Sequence, residues 1–506
     1  MPAKRKVKND EGTKEKELKL AIGVKDFGPI SSGIIDLKPC TILLGPNNAG
    51  KSYFAMLLHT LLEFFKTSIN EFVAMSWQSK QRYGIDNESL WKEFPEVKKK
   101  INGLKIGDKY EIPVAFIEKI WHRVLDDIFQ DLFAQELVRY YACELSDLVR
   151  IDGPGFTFEM DFGSSPLILK LKKNNLKIKQ YPAFDFKIYV KKTDKSGLSF
   201  GLGDNETEIG VTNAVLKKDD LDYRAFSSPF IDHIIQRCEN DLRKKTAVQS
   251  YYLPASRTGI LLLYKALLSD MVKKAPHAGT DKFDIPKFSG VISGLVSFLI
   301  ELSDKKKGPL FDLTEKFEKE LIKGQIIVKS VNEFAIPEIK FLFKNKEIPL
   351  HRSSSTVSEL APLFLYLKYS VKPGDLLIIE EPEAHLHPKN IRILTKFVVR
   401  LIRSGVKLFI TTHSDFLIDQ LSTFIQLSII KNSKKMEELD FDKQDYLKVD
   451  ETGVYVFRAD KKKDGYLIDE VEITEADGIS QEEFIKVSES LHEESFRIQS
   501  ELQEEG

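Results

Sequence analysis

The 506-residue sequence predicts an α/β fold with an antiparallel β lobe and an inserted helical subdomain. Three short apolar runs carry the prediction: Thr41–Leu44, Leu376–Ile379 and Lys407–Thr411 read as buried strands. Each runs into polar residues at its carboxyl end, which is where open α/β sheets bind their ligands.

The first run feeds Gly45-Pro46-Asn47-Asn48-Ala49-Gly50-Lys51-Ser52, a full match to the spacing GxxxxGK(S/T), and then a segment of helical periodicity that begins with Tyr53. The chemistry requires those residue types in that order. Glycines let backbone N–H groups turn inward around phosphate oxygens, and a helix starting near Lys51 aims its positive dipole end at the anion. The Lys51 ammonium reaches the outer phosphates and the Ser52 hydroxyl can ligate Mg²⁺. Residues 45–53 are therefore the phosphate-binding candidates.

Composition narrows the class. The 75 Lys+Arg and 76 Asp+Glu balance to a net charge of −1, so any nucleic-acid surface must be a local patch. Cys40, Cys143 and Cys238 lie far apart, which argues against a zinc site or a disulfide framework and fits a reducing cytoplasm. No apolar run approaches the ~20 residues of a membrane span, and no signal-peptide core is present. A soluble cytoplasmic protein is expected.

In chain order, residues 1–16 read as a disordered polar tail, in which Lys4-Arg5-Lys6 touches nucleic acid, serves as a nuclear signal or is simply solvated. Strands are expected over Glu17–Val24 and Gly33–Leu37. Between them Phe27 sits where an aromatic ring stacks on adenine or packs in the core. Helix continues over 53–76, then over Val114–Ala134 and Gln135–Val149. Strands follow at Phe156–Phe162, Leu167–Leu171, Leu176–Gln180 and Phe184–Lys191. This strip is basic from Lys170 to Lys192 and carries Tyr181, Phe184, Phe186 and Tyr189, so it reads as an exposed sheet face or as a backbone-binding face for nucleic acid. Helix is expected over 229–246 and strand over 248–253, ending at Pro254-Ala255-Ser256-Arg257. Arg257 either points at phosphates or a partner subunit, or anchors a loop. Helices over Leu261–Lys274, Phe288–Leu302 and Leu313–Ile322 precede strands Ile326–Val331 and Glu338–Phe343, which are expected to return the chain to the core sheet. The domain boundaries that follow are 17–62 and 325–430 for the two parts of the head, 63–250 for the helical and β insertion, 251–324 for the helical subdomain and 431–506 for terminal strands and a helix.

The second strong signal is DLLIIEEPEAHLHP over 375–388. Glu380 is placed to hold Mg²⁺ directly or through water, and Glu381 to orient the attacking water. Two adjacent carboxylates at a buried strand end require a compensating cation or proton. The Lys407–Thr411 strand ends in Thr412-His413-Ser414, where a neutral imidazole hydrogen-bonds a γ-phosphate or the water. His385 and His387 lack a third partner for zinc and read as part of a subunit-interface loop. Arg352-Ser353-Ser354-Ser355 precedes a helix over Ala361–Tyr369, and small hydroxyl residues there suit capping and anion binding.

The order phosphate loop, serine-rich helix start, hydrophobic-Glu-Glu-Pro-Glu, then Thr-Thr-His-Ser resembles the ABC-type P-loop ATPases, in the branch with RecF, SMC-like proteins and the OLD family. It covers residues 17–62 and 325–430. The resemblance implies an ABC-type head that binds ATP and Mg²⁺, with Lys51, Glu381 and His413 at the reaction and Ser52 and Glu380 at the metal. It also implies that Ser354 and Ser355 meet the γ-phosphate held by a second copy, in a head-to-tail homodimer. Thr356 stands where the family commonly has glycine, which loosens the alignment of the two serines, and Glu380 stands where aspartate is usual. Gln249 is the one guess for the family's coupling glutamine. The isolated Asp440-Phe441-Asp442 lacks the strand framework of the Toprim nuclease found in OLD proteins, so no nuclease is expected in this chain. By the same resemblance the setting is DNA repair or antiphage defence on double-stranded DNA, with a separately encoded nuclease or toxin as effector. The alternatives are a scaffold that sequesters an effector protein without DNA, or a transport ATPase subunit.

Overall fold

The computed structural model describes residues 20–79, 87–151, 153–162, 166–172, 175–183, 186–193, 198–202, 211–212, 216–217, 220–221, 223–246, 248–274, 288–329, 337–430 and 432–504. The expected tail, 1–16, lies outside them, as does Phe184.

An 11-stranded sheet runs through the molecule in the order Ser250–Leu253, Leu376–Glu380, Lys407–Thr411, Cys40–Leu44, Thr452–Ala459, Tyr466–Glu470, Ile30–Asp36, Ala21–Phe27, Thr157–Asp161, Leu167–Lys172, Asn175–Gln180. Its first five strands are parallel. Parallel strands covered on both faces read as continuous apolar runs, and Cys40–Leu44 and Leu376–Glu380 are buried at every position. Their side chains alternate between two cores. Leu376, Ile378, Leu43 and Phe409 face the core that contains the helix after the phosphate loop, while Leu377, Ile379, Ile42 and Ile410 face the other. That helix, Lys51–Ser79, lies against the first core through Phe54, Leu57, Leu58, Leu61 and Leu62, with the Phe54 ring stacked on Phe409.

From Ala21–Phe27 outward the sheet becomes antiparallel, through Thr157–Asp161 to the hairpin Leu167–Lys172 and Asn175–Gln180. The antiparallel lobe expected from the sequence is thus a continuation of the central sheet. Ile188–Lys192 leaves it and joins a separate four-stranded sheet with Lys109–Glu111.

Three further expectations are corrected. Gln325–Lys329 and Glu338–Phe343 do not return to the core; with Lys346–Pro349 they form their own antiparallel sheet. Their one-sided burial suits a sheet with a wet face, and a buried pair fixes it to the rest: Lys368 Nζ lies 2.5 Å from Glu318 Oε2 and 3.1 Å from the Ile326 carbonyl. The terminal strand Thr452–Ala459, expected outside the two parts of the head, pairs in parallel with the phosphate-loop strand Cys40–Leu44. The helix expected over Gln135–Val149 stops at Tyr141, because Ala142 takes a left-handed conformation at φ 53°. A short 3₁₀ turn over Leu145–Leu148, capped by Glu144, replaces its second half.

Candidate functional site

The carboxyl ends of Cys40–Leu44, Leu376–Glu380 and Lys407–Thr411 are neighbours in the sheet, and a cleft of about 710 Å³ opens over them. Its walls are Pro29, residues 47–53, Glu381, Thr411 and His413. Two glycines make the loop's path possible. Gly45 has φ 136°, and a Cβ there would lie 2.8 Å from the Phe457 carbonyl of the adjacent strand. Gly50 has φ 101°, and its Cβ would meet Ile30 and Pro29 at under 3 Å. Backbone this tightly wrapped admits no side chain. The helix then starts with the Phe54 N–H donating to the Gly50 carbonyl at 2.9 Å.

Lys51 is almost fully buried, and its ammonium donates to the carbonyls of Gly45 at 2.9 Å and Pro46 at 2.7 Å. Burial pushes its pKa down to about 8, opposed by the charges of Glu381, Glu380 and Glu383. A cation held with only carbonyl partners is ready to exchange them for phosphate oxygens, which carry full charge. Ser52 and Tyr53 are exposed on the cleft wall.

Glu381 follows its strand in a left-handed backbone conformation, φ 43°, uncommon outside glycine. Its N–H donates to the Thr411 carbonyl at 2.9 Å, which locks the two strand ends together. Its carboxylate is half-exposed, with Oε1 3.7 Å from His413 Nε2. Burial, and then the Lys51 charge, lower the His413 pKa, with Glu381 opposing. The imidazole is therefore neutral at neutral pH and can both donate and accept.

Glu380 is held by protein partners of its own. It does not line the cleft. Its two oxygens accept from the Tyr252 hydroxyl at 2.6 Å and the Ala255 N–H at 2.8 Å. Alternation along the strand puts its side chain on the face shared by Leu376 and Ile378, where Tyr252 of the neighbouring strand also lies. Each carboxylate oxygen keeps a free lone pair, so a water-bridged metal role survives and a direct one is disfavoured by this geometry.

Six other residues fall outside the cleft. Ser354 caps the Ser355–Tyr369 helix by accepting from the Val357 N–H at 3.4 Å, and Ser355 opens that helix on an exposed surface. Gln249 precedes the Ser250–Leu253 strand, at the edge of the sheet remote from the phosphate loop, bonded to Glu63 at 3.3 Å and to Lys66. It does not line the cleft. Phe27 is fully buried against Tyr53, Tyr141 and Phe156 and cannot stack on a base. His385 is exposed, and its carbonyl accepts from Thr356 at 3.4 Å; His387 caps the following helix through the Lys389 N–H.

Sequence reasoning missed Glu383, Thr412 and Tyr252. Glu383 Oε1 accepts from the Thr412 hydroxyl and from the His413 N–H at 3.1 Å, so it ties the carboxylate loop to the histidine loop. Burial raises its carboxyl pKa. The third carboxylate of Glu-Glu-Pro-Glu was a visible signal for Glu383. Tyr252 had none.

Among the described residues no group of three His, Cys, Asp or Glu could hold a metal ion. Mg²⁺ keeps several waters and uses one or two protein ligands plus substrate phosphates rather than a protein cage. Ser52, with Glu380 through water, suits such a site.

No curated protein matches the chain's sequence. Solved structures similar to it include the SMC head domain from Thermotoga maritima, at 9% identity over 90% of this chain and 100% of that one, TM-score 0.30. An SMC head from Pyrococcus furiosus with the C-terminal domain of ScpA shares 11% identity over 94% and 99%, TM-score 0.37. The recombination mediator protein RecF shares 12% over 90% and 99%, TM-score 0.31. Residues 20–418 match the AAA ATPase domain family. That match spans well over half of the sequence and includes the phosphate loop, the paired glutamates and the histidine, and the chain belongs to the AAA ATPase domain family.

Proposed function

We propose that the protein is a Mg²⁺-dependent ATP-hydrolysing switch of the ABC type, close to the RecF and SMC-like ATPases. Two copies sandwich ATP head to tail, and the switch responds to double-stranded DNA and hands its signal to a separately encoded nuclease or toxin in antiphage defence or DNA repair. The observation that carries the hydrolytic part is the meeting of Lys51, Glu381 and His413 at the ends of three adjacent parallel strands. Lys51 and the loop N–H groups bind the phosphates. Glu381, held beside a neutral His413, orients water for in-line attack, and His413 hydrogen-bonds the γ-phosphate. Bound Mg²⁺ would supply charge neutralisation at the phosphates, held by Ser52 and, through water, Glu380. Ser354 and Ser355 stand exposed at a helix start, free to meet the nucleotide of a second copy.

The DNA part rests on the hairpin at the far edge of the sheet. Leu167, Leu169, Leu171, Leu176 and Ile178 fill its buried face, while Lys170, Lys172, Lys177 and Lys179 are exposed. Lys170 and Lys177 stand directly opposite each other, an arrangement that destabilises a sheet unless an anion covers it. Lysines two apart on a strand are ~6.7 Å apart and suit a regular line of phosphates. Two aromatics of this strip are used within the protein: the Tyr181 hydroxyl donates to Asp126 at 2.8 Å and its ring stacks on His122, and Tyr189 bonds Glu111. A backbone-binding duplex face is therefore favoured over a base-stacking one.

The test is ATP hydrolysis with and without a DNA duplex, for the wild type and Lys170→Glu/Lys177→Glu. Four phosphate contacts give a log–log salt slope of about −3.6, and the variant loses about half of it. DNA-indifferent turnover with no salt-dependent binding sinks the DNA part and favours the effector scaffold.

A further inference from the structure

Arg257 is among the largest fully buried side chains of the protein, at 1% exposure, and the hydrolytic scheme makes no use of it. It opens the helix Arg257–Lys274, immediately after the strand whose Tyr252 and following Ala255 hold Glu380. A guanidinium has N–H donors in a fixed planar fork, and here each arm of the fork is engaged. Nη1 donates to the Glu380 carbonyl at 2.7 Å and to the Pro254 carbonyl at 3.3 Å. Nη2 donates to the Glu381 carbonyl at 3.0 Å. Nε donates to the Glu359 carbonyl at 3.0 Å and lies 3.1 Å from the Glu359 carboxylate.

Two of those acceptors flank the Cα of Glu381. The Glu380 carbonyl belongs to the peptide before it and the Glu381 carbonyl to the peptide after it, so one planar group fixes both φ and ψ of that residue. With the Glu381 N–H held by Thr411, the left-handed conformation at φ 43° is over-determined, as a strained residue must be to persist. Another acceptor, Glu359, lies on the helix Ser355–Tyr369, whose exposed start carries Ser354 and Ser355. A second link runs alongside, from Thr356 to the His385 carbonyl beyond Glu381.

We propose that Arg257 is the positioning residue that sets the backbone of Glu381 and ties it to the Ser355–Tyr369 helix, so that movement of that helix moves the water-orienting carboxylate. This rests on the reading of Glu381 given above. Nucleotide affinity belongs to the loop 45–52, which Arg257 does not touch, whereas turnover depends on where Glu381 points. Arg257 variants should therefore separate the two.

Two variants make the test. Arg257→Lys keeps the charge that Glu359 needs but cannot span both carbonyls, and Arg257→Met/Glu359→Met removes the pair at nearly constant volume. Each is assayed for ATP affinity, kcat and thermal unfolding, beside Glu381→Gln. Expected is ATP affinity within about twofold of wild type and kcat lowered roughly a hundredfold, the effect of misplacing a reacting group by about 1 Å. Arg257→Lys should rescue folding without rescuing kcat. A kcat within threefold of wild type in a folded variant overturns the proposal, and so does a parallel loss of affinity and melting temperature in Arg257→Lys, which marks a merely structural arginine. Normal hydrolysis by Glu381→Gln is a separate failure, that of the underlying reading.

Discussion

Replacing Lys51 by methionine removes a buried cation whose partners are two carbonyls. Burial lowers its pKa from 10.5 to about 8, and at ~1.4 kcal/mol per unit the ammonium costs the nucleotide-free fold ~3 kcal/mol. The sign follows from proton uptake. Above pH 8 the folded amine is neutral while the unfolded one stays protonated up to its ordinary value, so wild-type stability rises between about pH 8 and pH 10.5. Lys51→Met lacks that term. The stability difference between wild type and variant should therefore shift by ~3 kcal/mol in favour of the wild type on going from pH 7 to pH 10. Constant losses, such as the two hydrogen bonds, cancel in that comparison. Thermal or urea unfolding of both proteins at the two pH values measures it. ATP adds a second arm: it should raise the wild-type melting temperature at pH 7 by mass action and leave the variant unchanged. A difference that is the same at both pH values would refute the desolvated-lysine argument, and equal ATP stabilisation would refute the phosphate-loop assignment.

Burial and the Lys51 charge hold His413 neutral, so protonating it removes an acceptor from the cleft. Wild-type turnover should fall on the acid side of neutrality, and His413→Gln, which keeps a hydrogen-bonding side chain, should be slower and lack that acid limb in a pH–rate profile. Lys368→Met leaves Glu318 buried without its cation, a loss of about 3–5 kcal/mol. Chemical denaturation should show it, and Lys368→Met/Glu318→Gln should recover most of it.

What was legible in the sequence was contiguous. Gly45 to Ser52 is a complete motif in eight consecutive residues, and Glu381 and His413 stand at the ends of buried apolar runs that the sheet brings side by side. What was not legible joins distant segments. Whether Glu380 points into the cleft is decided by Tyr252, 128 residues earlier, and nothing in Tyr251-Tyr252-Leu253 says which tyrosine faces the carboxylate. Arg257 was visible as an arginine at a strand end, but its choice between phosphate and loop anchor depends on the carbonyls of 359, 380 and 381 converging on it. That Thr452–Ala459 joins the head was not legible either, because its parallel pairing with Cys40–Leu44 spans about four hundred residues of chain. Conversely, Gln325–Lys329 and Glu338–Phe343 looked like core strands, yet their half-buried pattern was the mark of a small sheet of their own.

The central claim is that this cleft hydrolyses ATP with Glu381 orienting the water. Its most direct test is single-turnover hydrolysis of ATP by the wild type and Glu381→Gln, with nucleotide affinity and oligomeric state measured on the same samples. The expected result is unchanged ATP binding, a rate lowered by roughly a hundredfold or more, and an ATP-bound dimer that persists in the variant. A variant that hydrolyses ATP at the wild-type rate, or that fails to bind it, would contradict the assignment.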